Sequence, residues 1–322
     1  MKVSIFGAGK IAQYAYLPLL VSWPDVEISG LFSRTPERVE ETCRRWHIDY
    51  GTHHAEALLD RPTDAAFVLT SDDTHFDLAR RLLERGVDVY IEKPAAESAA
   101  EVEQLADLAE SRGRVLMVGL NRRFAPLYRQ AREIFAGRAV SLAVFEKLRP
   151  KPYHPTLYNC YLNDTIHQID LLRFYCGEPE PVTTIYVESG DYMTGAVSLL
   201  KVPPAGQAVV QTTLRAGDWQ ERAALHGEEL SVYVDAFRSL TVRHRDREEV
   251  YGADRPGRSV PDLVERGFHG AVKHFFDCVQ SRRQPETGGR EAARTHRLIE
   301  DLVRAAGVKP EKRRGFEVYH AP

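Results

Sequence analysis

The chain has 322 residues, 43% of them hydrophobic, and its 43 basic and 46 acidic residues give a formal net charge of -3. This length favours two domains over one, and the evenly mixed charge offers no polybasic tract for nucleic acid or a membrane surface. The four cysteines lie far apart without a CxxC pair, which predicts neither a disulfide framework nor a zinc site and suits a reducing cytoplasm. The N-terminus opens into a strand-like segment without a signal-peptide pattern, and no run of about 18 apolar residues predicts a membrane span.

Over residues 1–120, short apolar segments rich in β-branched residues alternate with amphipathic segments of helical length. This alternation is typical of βαβ units and a parallel sheet. Two of the predicted helices end at a glycine, Gly86 and Gly113, as helix C-termini prefer. We predict strands at Val3–Phe6, Val26–Phe32, Ala65–Leu69, Val87–Ile91 and Arg114–Val118. The first 120 residues therefore predict an α/β domain with a doubly wound parallel sheet.

The first turn reads GAGKIA and places Gly7, Gly9 and Ala12 in a G-x-G-x-x-G/A pattern. Glycine at the first two positions lets the backbone turn tightly and approach a pyrophosphate, whose charge then lies on helix N–H groups. The pattern alone is weak. Its place between the first strand and the first helix favours a dinucleotide site over a purely structural glycine turn.

The end of the second strand bears on the choice of dinucleotide. An NAD site usually carries an acidic residue there, which holds the ribose 2′-hydroxyl. This chain has Ser33, Arg34 and Thr35 instead, and hydroxyl and guanidinium groups can bind a 2′-phosphate. We therefore predict NADP(H) in preference to NAD(H). The alternative is that Ser33 and Thr35 cap a helix and that Arg34 is a solvated side chain.

The stretch VDVYIEKPAAES carries an apolar strand directly into Glu92, Lys93 and Pro94. A residue that follows a strand at the carboxyl edge of an open α/β sheet lies where ligands bind. Pro94 restricts Lys93 to an extended backbone and stops the strand. An ammonium group there could bind a substrate hydroxyl, stabilise an alkoxide or pass a proton. The alternative is an exposed lysine at a strand end.

From about Asn121 the pattern changes, and from Ala139 onward it shows long strand-like runs joined by turn signals such as PPAG and HGEE. These features predict antiparallel pairing in a separate α+β domain over residues 121–322. Within it, LNDTIHQIDLLRFYCG predicts a helix whose one face carries Asn163, His167 and Asp170. His167 is either a packing residue or a catalytic one, and its polar helix face favours the latter.

Taken together, GAGKIA, SDDTHFDLARRLLERGVDVYIEKP, GLNRRFAPLYR, NDTIHQIDLLRFYCGEP and FHGAVKHFFDCVQ resemble the Gfo/Idh/MocA oxidoreductases over nearly the whole chain, and most of all their MviM-like branch. The resemblance implies an N-terminal NAD(P)-binding Rossmann domain and a C-terminal substrate-binding domain built on an open, largely antiparallel sheet. That sheet commonly mediates dimerisation, so a homodimer or homotetramer is expected. The resemblance also makes Lys93 and His167 the proton-handling pair.

One position departs from the family pattern. The family often has an aspartate four residues before the histidine, and this chain has Asn163 there. An amide can hydrogen-bond a sugar hydroxyl but cannot supply the negative charge that favours a protonated histidine. Asp164 would point off that helix face, whereas Asp170 could supply the charge from the next turn.

The resulting functional prediction is reversible oxidation of a secondary alcohol on a sugar, polyol or related compound, with a hydride passing to or from a nicotinamide. A nicotinamide-binding sensor without catalysis is the alternative that Asn163 suggests, and an imine or unsaturated ring as substrate is a third. No metal site is expected. Substrate-binding residues are predicted at Asn163, Asp170, Arg123 and Tyr158. Cofactor-binding residues are predicted at Gly7, Gly9, Lys10, Ile11, Ala12, Ser33, Arg34, Thr35, Arg38, Thr70, Ser71, His75, Glu92 and Lys93.

Overall fold

The computed structural model describes residues 1–252 and 261–313. The chain forms two compact units. The first consists of Met1–Leu120 and Phe268–Arg294, and the second of the described residues within Asn121–Gly267 and from Thr295 to Arg313. The sequence pattern predicts a single division after residue 120. The structure differs from this prediction, because Phe268–Arg294 belongs to the first unit. An amphipathic pattern shows that a helix has an apolar face but not which apolar surface that face covers.

The first unit contains a six-stranded sheet in the order β3-β2-β1-β4-β5-β6, and every pair of neighbours is parallel. Its strands are β1 (Lys2–Phe6), β2 (Glu27–Phe32), β3 (Gly51–Thr52), β4 (Ala65–Val68), β5 (Asp88–Ile91) and β6 (Leu116–Val118). The predicted doubly wound sheet is confirmed. The strand order reverses between β1 and β4, and the crevice outside the carboxyl ends of these strands is where ligands bind in such sheets.

The helical elements of residues 1–120 lie between the strands. They are a π-helical turn at Ala12–Tyr16, α1 (Leu17–Leu20), α2 (Pro36–Trp46), α3 (Ala55–Leu59), a 3₁₀ turn at Asp72–Thr74, α4 (His75–Glu84) and α5 (Ala99–Ser111). Helix α5 begins with a capping box, in which the Glu101 N–H donates to the Ser98 hydroxyl and the Glu101 carboxylate accepts from the Ser98 N–H. Gly86 and Gly113 both have positive φ, as predicted for residues that end helices.

Among the residues that the structure describes, the second unit is built on an eight-stranded sheet in the order β14-β13-β12-β11-β7-β10-β9-β8. The strands are β7 (Leu142–Leu148), β8 (Glu180–Ser189), β9 (Tyr192–Val202), β10 (Gly206–Thr213), β11 (Gln220–Gly227), β12 (Leu230–Asp235), β13 (Ser239–His244) and β14 (Arg247–Tyr251). Strands β7 and β10 are parallel, and the other neighbours are antiparallel. The predicted open, largely antiparallel sheet is therefore confirmed.

Helical elements of the second unit are a 3₁₀ turn at Asn121–Phe124, α6 (Pro126–Phe135), α7 (Leu157–Cys160), a π-helical turn at Tyr161–Thr165, α8 (Ile166–Cys176) and α9 (Asp262–Glu265). Two longer helices follow, α10 (Phe268–Ser281) in the first unit and α11 (Gly289–Arg304), which continues into the second.

Helix α8 packs on β7 and β10, and α6 packs on β12. Helix α10 packs the rings of Phe275 and Phe276 against Phe67 in the first unit. Within residues 1–252 and 261–313, none of the helices has the length and apolar character needed to cross a membrane.

Candidate active site

The glycine-rich turn has the geometry that a dinucleotide needs. Gly7 has φ +117°, and a Cβ on it would lie 2.5 Å from the main-chain carbonyl of Leu69, so only glycine fits. A Cβ on Gly9 would meet nothing within 4 Å, which leaves open space beside the turn. The Gln13 N–H donates to the Gly9 carbonyl where the helix begins. Backbone that is open on this side fits the close approach of a pyrophosphate.

The other predicted residues of the turn continue into the helix. Lys10 is exposed and Ile11 is half-buried, whereas Ala12 is buried and begins the π-helical turn. Thr70 and Ser71 follow β4 at the same edge of the sheet, and the Thr74 hydroxyl donates to that of Thr70 at 2.7 Å.

The residues predicted to select the cofactor follow β2. Arg34 and Thr35 are exposed and Ser33 is half-buried. Thr35 immediately precedes α2, yet its side chain makes no capping hydrogen bond. Arg38, in the first turn of α2, is also exposed, with its guanidinium 3.4 Å from the Glu41 carboxylate. The capping role considered for Thr35 is therefore not observed, and these polar groups lie at the surface.

A buried chain of hydrogen bonds holds the Glu-Lys-Pro segment in place. The Tyr16 hydroxyl donates to Glu92 Oε1 at 2.5 Å and lies 3.1 Å from the Tyr90 hydroxyl. The other carboxylate oxygen, Oε2, accepts the Lys93 main-chain N–H at 2.9 Å. Burial, and secondarily the charge of Glu92, raises the pKa of the Tyr16 hydroxyl, so this hydroxyl remains a donor. Glu92 thus fixes the main chain of Lys93, whose own side chain is partly exposed.

His75 supports the same segment. One ring nitrogen, Nδ1, lies 2.8 Å from the Pro94 carbonyl, and Nε2 lies 3.0 Å from the Thr70 carbonyl. The ring is almost fully buried. Cofactor binding by His75 and Glu92 stays a prediction from the sequence. Because their polar atoms already bind protein groups, we propose that both residues position Lys93 and Thr70.

In the second unit His167 lies in the first turn of α8 and is 7% exposed. Asn163 lies before it in the π-helical turn Tyr161–Thr165. The sequence predicts one regular helix with Asn163, His167 and Asp170 on one face. A π-helical turn contains more residues than an α-helical turn and shifts the side chains that precede it. The three residues are therefore not related by uniform α-helical spacing.

Asp170 and Arg123 form a buried ion pair. Arg123 Nε donates to Asp170 Oδ2 at 2.7 Å, and Nη2 donates to Oδ1 at 2.6 Å. The Thr295 hydroxyl also donates to Oδ1, at 2.9 Å. Both carboxylate oxygens are thus engaged inside the unit, and Asp170 has no exposed surface. We propose that this ion pair stabilises the second unit, whereas substrate binding by Asp170 and Arg123 stays a prediction. Tyr158, another predicted substrate contact, is also almost fully buried.

Five charged residues that the sequence reasoning did not bring together form what we term the buried charge cluster. Its members are Arg122, Lys147, Arg149, Asp164 and Glu221. Burial opposes the charge on Glu221, but Arg122 and Lys147 hold the pKa of this carboxyl well below its usual range. Lys147 and Arg149 likewise hold the pKa of the Asp164 carboxyl well below its usual range, against the opposing effect of burial. In AVFEKL, alternate residues of a strand point to the same face, so Lys147 shares a face with the buried Ala143 and Phe145. This spacing is the sequence signal from which the burial of Lys147 could have been predicted.

Comparisons with known proteins agree with this geometry. Residues 1–120 match the model of an oxidoreductase family with an NAD-binding Rossmann fold. The chain is 30% identical over 317 residues to YceM of Salmonella typhimurium, named as an oxidoreductase, covering 95% of this chain and 98% of that protein. It is 26% identical to an inositol 2-dehydrogenase of Rhizobium meliloti, covering 96% and 98%. The fold matches the crystal structure of a dehydrogenase, MviM, from Clostridium difficile with a TM-score of 0.87 at 24% identity, covering 95% of this chain and 99% of that one. The chain therefore belongs to the Gfo/Idh/MocA family of NAD(P)-dependent oxidoreductases.

Proposed function

We propose that this enzyme transfers a hydride reversibly between NADP(H) and the secondary alcohol or ketone of a sugar, polyol or related compound. The observation that carries the proposal is the Lys93 segment. Its main chain is held by Glu92 at the sheet edge that also contains the open glycine turn at Gly9. The inositol 2-dehydrogenase relative supports a hydroxylated substrate, because by its name it acts on a cyclic polyol.

The chemistry divides between cofactor and protein. When bound, the nicotinamide supplies or accepts the hydride. The protein has to bind the substrate and handle a proton. We assign to the Lys93 ammonium the binding of the substrate oxygen, where it offsets developing negative charge. His167 accepts the proton of the hydroxyl group during oxidation and returns it during reduction. Asn163 hydrogen-bonds a substrate hydroxyl.

The preference for NADP(H) rests on the groups that follow β2. This position has no carboxylate, which would repel a 2′-phosphate. Arg34 and Thr35 are exposed there, and the Thr35 hydroxyl does not cap α2. We expect Arg34→Ala to weaken NADPH binding at least about tenfold and to change NADH binding less than about twofold. A titration of cofactor fluorescence measures both, and equal losses for the two cofactors would contradict the assignment.

The proposed reaction is tested by screening the purified enzyme with NADP⁺ and NADPH against sugars, polyols and keto-sugars. Lys93→Ala and His167→Ala should each lower kcat at least about 100-fold on a verified substrate while retaining NADPH binding. Lys273→Ala removes an exposed lysine that pairs with Asp277, and it serves as the matched control. If both site variants keep rates near wild type, the catalytic assignment is wrong.

A second candidate is a nicotinamide-binding sensor that no longer catalyses a reaction. Asn163 favours it, because the family often has an aspartate at this position. A sensor should bind NADPH without changing the near-ultraviolet absorbance of the reduced nicotinamide in the presence of any member of the panel. Oxidation of NADPH by a single keto-sugar would exclude this candidate.

We also propose that the second unit associates with another copy through its open sheet. Strands β8 and β9 expose several large apolar side chains, and the most exposed of them is Ile185 at 69%. The others are Val182, Val187, Tyr192 and Val197. Several exposed apolar side chains on two neighbouring strands are typical of an interface. Sedimentation analysis should give a dimer or tetramer for the wild type and a smaller species for Ile185→Glu. A wild-type monomer would contradict this proposal.

A further inference from the structure

The buried charge cluster is a continuous chain of contacts inside the second unit. Arg122 binds Glu221 through Nε at 2.7 Å and Nη2 at 3.0 Å, and the Lys147 ammonium binds the same carboxylate. Lys147 Nζ also lies 3.6 Å from Asp164 Oδ1. Arg149 then holds Asp164 with two further hydrogen bonds, from Nη2 to Oδ1 at 2.6 Å and from Nε to Oδ2 at 3.0 Å. The cluster thus links β7, β11 and the π-helical turn before His167.

The charges of the cluster do not balance. Three cations, Arg122, Lys147 and Arg149, face two carboxylates, Asp164 and Glu221, which leaves one positive charge in excess. An uncompensated charge inside a protein is costly, so the excess is best tolerated where solvent or a ligand can reach it.

Arg149 is the member of the cluster that meets this requirement. Its side chain is 26% exposed, whereas those of the other four are 5% exposed or less. Its Nε and Nη2 both donate to Asp164, and within residues 1–252 and 261–313 its Nη1 has no hydrogen-bond partner. The ring of Trp219 lies 6.0 Å from the guanidinium carbon. A guanidinium that is held by one carboxylate and still has free N–H groups can bind a second anion.

The cluster also lies next to the residues proposed for catalysis. Asp164 immediately follows Asn163 and precedes His167 by three residues, at the junction of the π-helical turn with α8. We propose that Arg149 binds a carboxylate or phosphate group of the substrate, so that the enzyme acts on a sugar acid or sugar phosphate rather than on a neutral sugar or polyol. This inference rests on the proposed function and narrows its substrate class.

The protonation of Lys147 should tune this site. Glu221 from β11, Asp164 from the π-helical turn, Arg122, Arg149 and the Trp219 ring all face its ammonium group. Burial lowers the pKa of Lys147 to about 8, and the two carboxylates only partly oppose this effect. As the pH rises through about 8, Lys147 loses its charge and the cluster loses its positive excess. Anion affinity at Arg149 should therefore fall over this range.

The test measures binding, so it does not depend on turnover. The enzyme is saturated with NADP⁺ and titrated calorimetrically with D-glucose, D-glucuronate and D-glucose 6-phosphate, which share a scaffold and differ in charge. The wild type should bind at least one of the two anions about tenfold or more tightly than glucose. Arg149→Gln should reduce that affinity to the level of glucose. Arg222→Gln, which changes an arginine of β11 that is 47% exposed, is the control and should behave as wild type.

A second variant separates binding from folding. Arg149→Gln leaves Asp164 with fewer donors, and circular dichroism shows whether it folds. Arg149→Gln/Asp164→Asn replaces the pair by two amides that can hydrogen-bond each other and keeps the cluster's net charge, so it should fold and also lose the preference for anions. Glucose binding as tight as that of both anions, or an anion preference that survives in the double variant, would overturn the inference. Turnover without an anion preference would leave the proposed function standing. An Arg149-dependent anion preference without turnover of any compound in the panel would support anion binding at Arg149 and contradict the proposed function.

Discussion

The hydroxyl group of Tyr16 links the cofactor turn to the Lys93 segment, and its removal tests how Lys93 is positioned. Tyr16 ends the π-helical turn that follows the glycine motif, and its side chain is fully buried. The variant Tyr16→Phe deletes the hydroxyl that donates to Glu92 at 2.5 Å. It keeps the ring contacts with Phe67, Tyr90 and Phe268, whose ring centres lie 5.5–6.0 Å away. The change therefore removes one polar contact and almost no apolar packing.

The magnitude follows from the burial of the carboxylate. A hydrogen bond to a charged group contributes about 1.5–3 kcal/mol, and the larger values apply when water cannot replace the lost donor. Glu92 is buried, so we expect Tyr16→Phe to lower the free energy of unfolding by about 2–3 kcal/mol. This corresponds to a decrease in Tm of roughly 4–12 °C for a unit of this size. Because the Lys93 N–H binds the same carboxylate, kcat should fall about tenfold. Cofactor affinity should change less than about twofold, because the Gly7 and Gly9 backbone is unaltered.

Thermal and chemical denaturation measure the first effect, and steady-state kinetics with separate cofactor titrations measure the other two. Tyr14→Phe changes an exposed tyrosine of the same π-helical turn, and we expect it to alter stability by less than about 0.5 kcal/mol. If Tyr16→Phe and Tyr14→Phe are indistinguishable in both stability and kcat, the buried hydroxyl does not position Lys93. A loss of cofactor affinity with unchanged kcat would also refute the reasoning, because it would place the effect at the glycine turn.

Three further predictions concern other parts of the two units. Gly7→Ala should lower the free energy of unfolding by more than about 2 kcal/mol, whereas Gly9→Ala should melt as wild type and weaken cofactor binding at least about tenfold, because only the first Cβ meets main-chain atoms. Asp170→Asn should cost about 3–5 kcal/mol of stability and leave kcat within about twofold, and a selective loss of kcat would contradict its structural role. Between pH 8 and 10.5 the free energy of unfolding of the wild type should increase relative to that of Lys147→Met, by at most ~3 kcal/mol. Denaturation curves recorded at each pH measure this difference. In that range the unfolded state binds more protons, since the pKa of folded Lys147 is about 8 and its ordinary value is 10.5.

Some elements could be predicted because their signals are local. The parallel strands of the first unit were recognisable from apolar β-branched runs, and the ends of α4 and α5 from Gly86 and Gly113. Strand β3 was missed because two residues, Gly51 and Thr52, are too few to show a period. The π-helical turn before His167 was missed for a different reason. Its residues are compatible with a regular helix, and the wider turn has no composition of its own.

The candidate site also could be predicted from the sequence only in part. The glycine turn, the Glu-Lys-Pro segment and the histidine helix, together with the resemblance to the Gfo/Idh/MocA oxidoreductases, were sufficient to predict a nicotinamide-dependent enzyme, because each motif lies within a few residues of chain. The partners of those residues could not be predicted. Tyr16 reaches Glu92 over 76 residues, and Arg122 reaches Glu221 over 99.

The sequence by itself determined the alternation of strands and helices in the first unit, the parallel and largely antiparallel character of the two sheets, and the chemical groups available at the ends of the strands. These depend on backbone preferences and apolar periodicity over short distances. Only the tertiary structure decided which charges neutralise each other. It placed Asp170 with Arg123 and left Arg149 partly exposed on Asp164, because an ion pair depends on distance and burial in space, and a single chain position specifies neither.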